Sequence, residues 1–391
     1  MSAPPQAPGA EPAMSAATSR LPWRERWQRW RDTLLANPRF RHWAAGFALT
    51  RPVARRRAAA LFDLVAGFVY SQVLLACVRL RLFDLLADGP LPLSELARRT
   101  QLSDEACLRL LVAAQSLQLL QPRGGDRWGL GPLGATLVGD QAITAMVEHH
   151  AALYADLADP VALLRGEHGR TRLGELWAYA ADEQPDQLAR ERVAAYSALM
   201  SASQPLVSEQ VLDAVSLQGH RCLMDVGGGE GTFLRAVAAR APHLKLMLFD
   251  LPAVAGRARE RLVAAGLAAR AEVHGGDFHR QPLPRGADVI TLVRVVHDHD
   301  QGAALRILAA VRAALPPGGR VLLAEPLADT PGAAAMGNAY FGFYLLAMGS
   351  GRARSAAELG DMLRASGFER VQSLPTRQPL QTALLSAWVS G

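Results

Sequence analysis

The chain has 391 residues, above the size at which one hydrophobic core usually keeps growing, so two domains are expected. Half of the residues are hydrophobic and a fifth are charged, which excludes wholesale disorder. The formal charge of +6 is uneven: residues 20–57 hold eleven Arg against only Glu25 and Asp32, so basicity belongs to one segment and not to the body of the protein.

The first nineteen residues are rich in Pro, Ala and Ser and have no charged stretch followed by an apolar one. They predict a disordered tail without a secretory signal, and a cytoplasmic location. Cys77, Cys107 and Cys222 are odd in number and far apart, against a disulfide framework or a zinc ribbon. In the Arg-rich segment, Pro38 and Pro52 should divide the chain into short helices. Trp23, Trp27, Trp30 and Leu34 recur at helical spacing, with Arg on the flanks. Such a stripe packs on the protein's own body or a second subunit, or it lies in the headgroup layer of an anionic bilayer. Both readings stand at this point.

Residues 61–87 predict one long buried helix; the uncharged run 64–78 is fifteen residues, short of the roughly twenty that a membrane span needs. Over 91–138, Ser94 and Ser103 are candidate N-caps of two helices. Leu108, Leu110, Leu111 and Leu117 form the apolar face of the second, and Gly124-Gly125-Asp126 turns a hairpin. This is a winged-helix plan. Its second helix carries Arg109 and little else that is basic, too little for phosphate contacts, so dimerisation is favoured over DNA binding. Helices are expected over 142–165, 172–182 and 186–217.

From Gly219 the pattern changes to alternating strands and helices. Strands are expected at 222–226, 244–250, 271–275, 287–293 and 320–326, and helices at 231–240, 253–266 and 301–314, which implies a parallel sheet covered on both faces. After a helix at 355–366, the segments FERVQSL and TALLSAWV predict a closing antiparallel pair.

The chemistry gathers where these strands end. Gly227, Gly228 and Gly229 sit between a strand and a helix, where backbone can approach a ligand closely. Asp250 ends the next strand, 21 residues past Gly229, suited to both hydroxyls of a ribose. A dinucleotide fingerprint would need Gly at 232, and the residue is Thr232. The third strand delivers Asp277 and Phe278, a carboxylate for an adenine amino group and a ring to stack on the base. Together these describe an S-adenosylmethionine site. The fourth strand leads to Arg294 and to His297-Asp298-His299-Asp300. Four consecutive residues cannot converge on one ion, so no metal is expected, and His297 is read as a general base. Glu325 is placed to hold the other ring nitrogen, as is Asp298; the alternative for Asp298 or Asp300 is to cap the following helix.

The segments LMDVGGGEGTF, LFDLPAV, GGDF and RVVHDHD, behind a winged-helix front half, resemble the acetylserotonin/caffeate-type O-methyltransferase family from about residue 60 onward. The resemblance implies an α/β Rossmann-like methyltransferase core preceded by a mainly helical winged-helix dimerisation domain, a homodimer, and no metal requirement. It implies that Gly227 and Gly229 border the methionine part of the cofactor, Asp250 the ribose, Asp277 and Phe278 the adenine, with Arg294 lining it. His297 would be the catalytic base and Glu325 its supporting acid. There are two departures: His299 stands where the family has Trp, which removes an aromatic, and Ala353 stands where the family has a Glu that contacts the base. Positioning of the methyl acceptor then has to carry more of the rate.

The front segment 50–86 is further similar to the carotenoid 1-hydroxy O-methyltransferases of purple photosynthetic bacteria, which act on acyclic hydroxycarotenoids of the hydroxyneurosporene and demethylspheroidene type. Tyr340, Phe341, Tyr344 and Met348 lie in the substrate-lining segment, an aromatic stretch suited to a long polyene or to an ordinary core or dimer helix. A phenol or polyketide O-methyltransferase, and a non-catalytic ligand-sensing DNA regulator, are the alternatives. The expected organisation is a tail at 1–19, an Arg/Trp-rich helical segment at 20–57, a dimerisation domain at 58–217 and a methyltransferase domain at 218–391.

Overall fold

The computed structural model describes residues 22–167, 169–176, 204–377 and 382–391. The tail expected at 1–19 and much of the helices expected at 172–182 and 186–217 lie outside them. The chain divides into two units, Met1–Val73 and Leu74–Gly391, with the helix Arg51–Arg79 running from the first into the second.

In the first unit, Asn37 and Pro38 make the break that the sequence announces. The helix Trp23–Ala36 ends, and the Asn37 side chain accepts from the Arg39 amide at 2.9 Å to start the helix Pro38–Gly46. Trp23, Trp27 and Trp30 are exposed, and Arg24 and Arg31 lie 5.5 Å from the rings of Trp23 and Trp27.

The helix Arg51–Arg79 corrects the expectation of a buried helix over 61–87. It ends at Arg79, and Arg81 adopts a left-handed conformation (φ 55°) before the short helix Leu82–Leu85. Only Leu75, Cys77 and Val78 are buried, whereas Phe62 is 63% and Leu64 82% exposed. The helix is also long and apolar enough to cross a membrane by length and composition. Apolar residues all round a helix mark a face that something covers, and composition alone does not say what.

The winged-helix plan is present in the second unit. Strands β1 (Leu91–Pro92), β2 (Leu120–Pro122) and β3 (Arg127–Leu130) pair in the order β1-β3-β2 beside the helices Leu93–Thr100 and Asp104–Ser116. Ser103 caps the second helix through the Ala106 amide at 3.2 Å. Ser94 is no cap, because it lies inside the first helix, which Pro92 precedes. The inward face of the second helix is Cys107, Leu111 and Ala114, and Leu108 is 41% exposed.

The main sheet contains β4 (Cys222–Val226), β5 (Lys245–Asp250), β6 (Ala271–Gly275), β7 (Val289–Val293), β8 (Arg320–Glu325), β9 (Phe368–Leu374) and β10 (Ala383–Val389), in the order β6-β5-β4-β7-β8-β10-β9. The first five are parallel; β10 inserts antiparallel between β8 and β9. Alternate residues feed two cores, Met224 and Val226 on one face and Leu223, Leu246 and Leu248 on the other. Because β4 is flanked by β5 on one side and β7 on the other, the strand order reverses there, opening a crevice at the carboxyl ends. All three cysteines are buried and unbridged, and burial pushes the Cys77 thiol up to about 12.

Candidate active site

The crevice collects the predicted residues from five strand ends. After β4, Gly227 and Gly229 take positive φ (70° and 56°), and a Cβ on Gly227 would lie 2.7 Å from Val295 Cγ2. Nothing would meet a Cβ on Gly229 within 4 Å, so the glycine loop is open on that side. Asp250 closes the loop from β5. Its carboxylate accepts from the Gly229 and Leu251 amides, each at 2.7 Å, and burial raises its pKa to about 6. Each of its oxygens keeps a further lone pair for a hydroxyl.

At the end of β6, Asp277 accepts from the His279 amide at 2.8 Å, and Phe278 packs edge-on against His279 (4.7 Å) and His299 (5.5 Å). This corrects the reading of His299 as a lost aromatic. Burial lowers the His299 pKa to about 4, so the ring is a neutral imidazole at neutral pH and occupies an aromatic seat beside Phe278.

Arg294 follows β7 in a left-handed conformation (φ 59°), its amide held by the Ala324 carbonyl at 2.8 Å. Three residues on, His297 is buried between two carboxylates. Its Nδ1 meets Glu325 Oε2, while its Nε2 lies 3.0 Å from Asp298 Oδ1 without the alignment of a hydrogen bond. Burial opposes the imidazolium, but Asp298 and Glu325 outweigh it and raise the pKa to about 10. Glu325 thus holds Nδ1 and leaves Nε2 as the nitrogen facing Asp298. The residue that caps the helix Gln301–Ala314 is Asp300, through the Ala303 amide at 2.7 Å, so Asp298 is not used as a cap.

The four expected substrate-side residues separate. The Phe341 ring lies 6.1 Å from that of His297, and Tyr340 packs on Phe341 at 5.0 Å. Tyr340 ends a turn of π-helix, Ala335–Tyr340, that leads into the helix Phe341–Met348. Tyr344 is buried, and Met348, with no exposed surface, belongs to the same core cluster as Leu153, Leu163 and Leu173.

Several residues escaped the sequence reading. His150 and His149 hydrogen-bond the phenols of Tyr340 (2.7 Å) and Tyr344 (2.8 Å), and burial lowers the pKa of both imidazoles. The adjacent His pair was the only signal. Glu230, inside the glycine motif, is buried against Arg257 (2.8 Å) and Arg261 (2.6 Å), tying the loop to the helix Pro252–Ala264. Asp225 accepts from Thr291 Oγ1 at 2.6 Å beneath the loop, its other oxygen buried without a partner. Burial pushes its pKa up to about 7.

A parallel sheet with a glycine loop, a buried aspartate, an acid–aromatic pair and a buried histidine at successive strand ends has the architecture of a Rossmann-like methyltransferase. Residues 154–369 match the O-methyltransferase domain, and residues 62–140 match the O-methyltransferase dimerisation domain. The chain is 44% identical to the demethylspheroidene O-methyltransferase of Cereibacter sphaeroides, over 90% of this chain and 93% of the relative. It is 32% identical to the acetylserotonin O-methyltransferase of Mus musculus, over 82% of this chain and 86% of the relative. The human N-acetylserotonin methyltransferase, solved in complex with SAM, shares the fold with a TM-score of 0.71 at 24% identity, covering 86% of this chain and 98% of that one. The chain belongs to the O-methyltransferase family, and it carries that family's dimerisation domain.

Proposed function

We propose that the enzyme methylates the tertiary 1-hydroxyl of an acyclic carotenoid, with S-adenosyl-L-methionine as donor. The support is the 44% identity to the demethylspheroidene enzyme over nearly the whole of both chains. The residues fit the donor: Gly227, Gly228 and Gly229 offer backbone on an open side, Asp250 lone pairs for a ribose, Asp277 and Phe278 an acceptor and a ring for an adenine, and Arg294 the adjoining wall. When bound, that donor supplies a methyl carbon made electrophilic by a sulfonium sulfur.

The chain's own work is to align the acceptor oxygen, exclude water and move one proton. His297 would take the hydroxyl proton on Nε2, with Glu325 fixing the ring through Nδ1. A tertiary alcohol is a weak acid and a hindered nucleophile, so a dry pocket that fixes its direction of approach supplies much of the rate. Phe341, Tyr340 and Tyr344 are the residues we assign to the acceptor's side. A fully buried Met348 packs the layer behind them.

The working enzyme is read as a homodimer, the exposed apolar face of the helix Arg51–Arg79 being covered by a second copy, because the dimerisation domain begins within it. The exposed Trp23, Trp27 and Trp30 beside Arg residues suit an anionic membrane surface, where a polyene substrate would dissolve. Peripheral attachment on the cytoplasmic side follows from that reading. The domain boundaries at 57/58 and 217/218 are kept with it.

Incubation with S-adenosyl-L-methionine and either a 1-hydroxy acyclic carotenoid or a simple phenol tests the function. A carotenoid methyl ether is expected; methylation of the phenol alone would overturn the substrate assignment. His297→Ala should lower turnover about a hundredfold or more while donor affinity stays nearly unchanged.

A further inference from the structure

Four successive carbonyls of the turn that carries His297 are each held by one short segment. Val296 O accepts from Arg354 Nη1 at 2.9 Å, and His297 O from the Arg352 amide at 2.9 Å. Asp298 O accepts from Ser350 Oγ at 2.7 Å, and His299 O from Arg354 Nη2 at 2.8 Å. The approach is so close that a Cβ on Gly351 would lie 2.1 Å from His297 O, and Gly351 itself has φ 84°. The amide side of the same turn is held by Glu325, whose Oε1 accepts from Val295 at 3.1 Å and from Val296 at 2.7 Å.

Arg354 is the side chain that spans this arrangement. It is 2% exposed, and its remaining side-chain bonds go to Gln301 Oε1 (3.3 Å) and the Arg352 carbonyl (3.5 Å). Among the described residues, no carboxylate forms an ion pair with it. Its own backbone is fixed in turn, its carbonyl accepting from the Ala328 amide at 3.0 Å, just after β8 and Glu325. Burying a guanidinium without a carboxylate is costly, and a residue that only filled space would do so more cheaply as an apolar side chain. The planar fork of Arg is what reaches two carbonyls three residues apart.

We propose that Arg354 is a positioning residue for the base, and that with Ser350 and the 351–352 backbone it clamps the 296–299 turn so that the His297 ring stays between Glu325 and the acceptor. The clamp stands where the family pattern has a Glu touching the base and this chain has Ala353. Orientation of the ring then comes from backbone held on both sides together with the contact to Glu325. The proposal rests on the reading of His297 as base.

The test compares Arg354→Lys and Ser350→Ala with the wild-type enzyme. Steady-state kinetics on the carotenoid substrate are joined by an NMR titration of the histidines in the ligand-free protein. Lysine cannot span both carbonyls, so kcat should fall about a hundredfold, the scale of an ångström-sized misplacement, while KM for the donor stays close to wild type. Ser350→Ala, which removes one bond, should fall less. The His297 resonance should titrate at lower pH in Arg354→Lys, because a loosened turn separates the imidazolium from its carboxylates while leaving it buried. Guanidinium ions should restore part of kcat to Arg354→Ala where that variant folds. An unmoved His297 titration, or wild-type kcat in both Arg354→Lys and Ser350→Ala, would overturn the clamp. Full turnover in His297→Ala would defeat the base assignment instead, so the two failures are distinguishable.

Discussion

Glu325 holds His297 by two routes. Oε2 takes Nδ1 of the ring, and Oε1 takes the amides of Val295 and Val296, so one carboxylate sets both the ring and the turn beneath it. Replacing it changes the charge beside His297 and the backbone under it together.

The pH profile should show the charge. His297 has a pKa of about 10, so below that pH the imidazole carries a proton and cannot accept another. The value of kcat/KM reports the unliganded enzyme, and it should climb through neutrality and level off near pH 10. Glu325→Gln removes one of the two carboxylates that favour the imidazolium. Its profile should level off at lower pH and at a lower maximum. A flat wild-type profile from neutrality to pH 10 would count against His297 as the group that titrates.

Donor affinity should depend on Asp250. Asp250→Ala removes the acceptor of the Gly229 and Leu251 amides along with the lone pairs assigned to the ribose. Charge-assisted hydrogen bonds of this kind contribute about 1.5–3 kcal/mol, roughly a ten- to hundredfold rise in Kd by calorimetry. Equal affinity would dismiss the ribose role.

Three histidines should make stability depend on pH on both sides of neutrality, with opposite causes, while the raised Asp225 and Asp250 carboxyls work against the acid-side loss. Burial holds His299 and His149 down at about 4 against an ordinary 6.5, so the unfolded chain binds their protons more tightly, and stability is lost as pH falls from 6.5 toward 4. His297 is raised to about 10, so its contribution is complete below 6.5 and is lost as pH rises toward 10. Thermal melts should narrow the acid-side loss in His299→Phe and the alkaline-side loss in His297→Phe. Unchanged pH dependence in both would contradict these assignments.

Membrane attachment should follow the tryptophans. Trp23→Ala, Trp27→Ala and Trp30→Ala combined should reduce co-sedimentation with anionic vesicles, and raised salt should weaken what remains by screening the Arg residues. Equal partition of the wild type and the triple variant would leave the stripe to a protein partner.

Much of the sheet was legible because strands buried on both faces are short aliphatic runs bounded by turn residues. CLMDV, buried at every position, falls where expected to the residue, and so do AEVHG and FERVQSL, the two partly exposed edge strands. The gathering of Gly227, Asp250, Asp277, His297 and Glu325 at the strand ends was legible too, since a parallel sheet assigns its carboxyl ends a location in advance. Two things were not. The exposure of Phe62 and Leu64 depends on what covers the helix, which an all-apolar pattern does not record. The His149–Tyr344 and His150–Tyr340 bonds, and the burial of Arg354, join segments tens to hundreds of residues apart. In sequence, Arg354 is simply one more cation in a glycine-containing loop.

The three cysteines turn the folded enzyme into its own unfolding gauge. Cys77 lies at the end of the helix that enters the second unit, Cys107 under the winged helix and Cys222 at the start of the central strand. With each sulfur covered, a colorimetric thiol reagent can react only as fast as its own region opens. Mass-resolved labelling of the three positions would therefore rank the local breathing rates of the front helix, the winged module and the sheet, without any engineered probe.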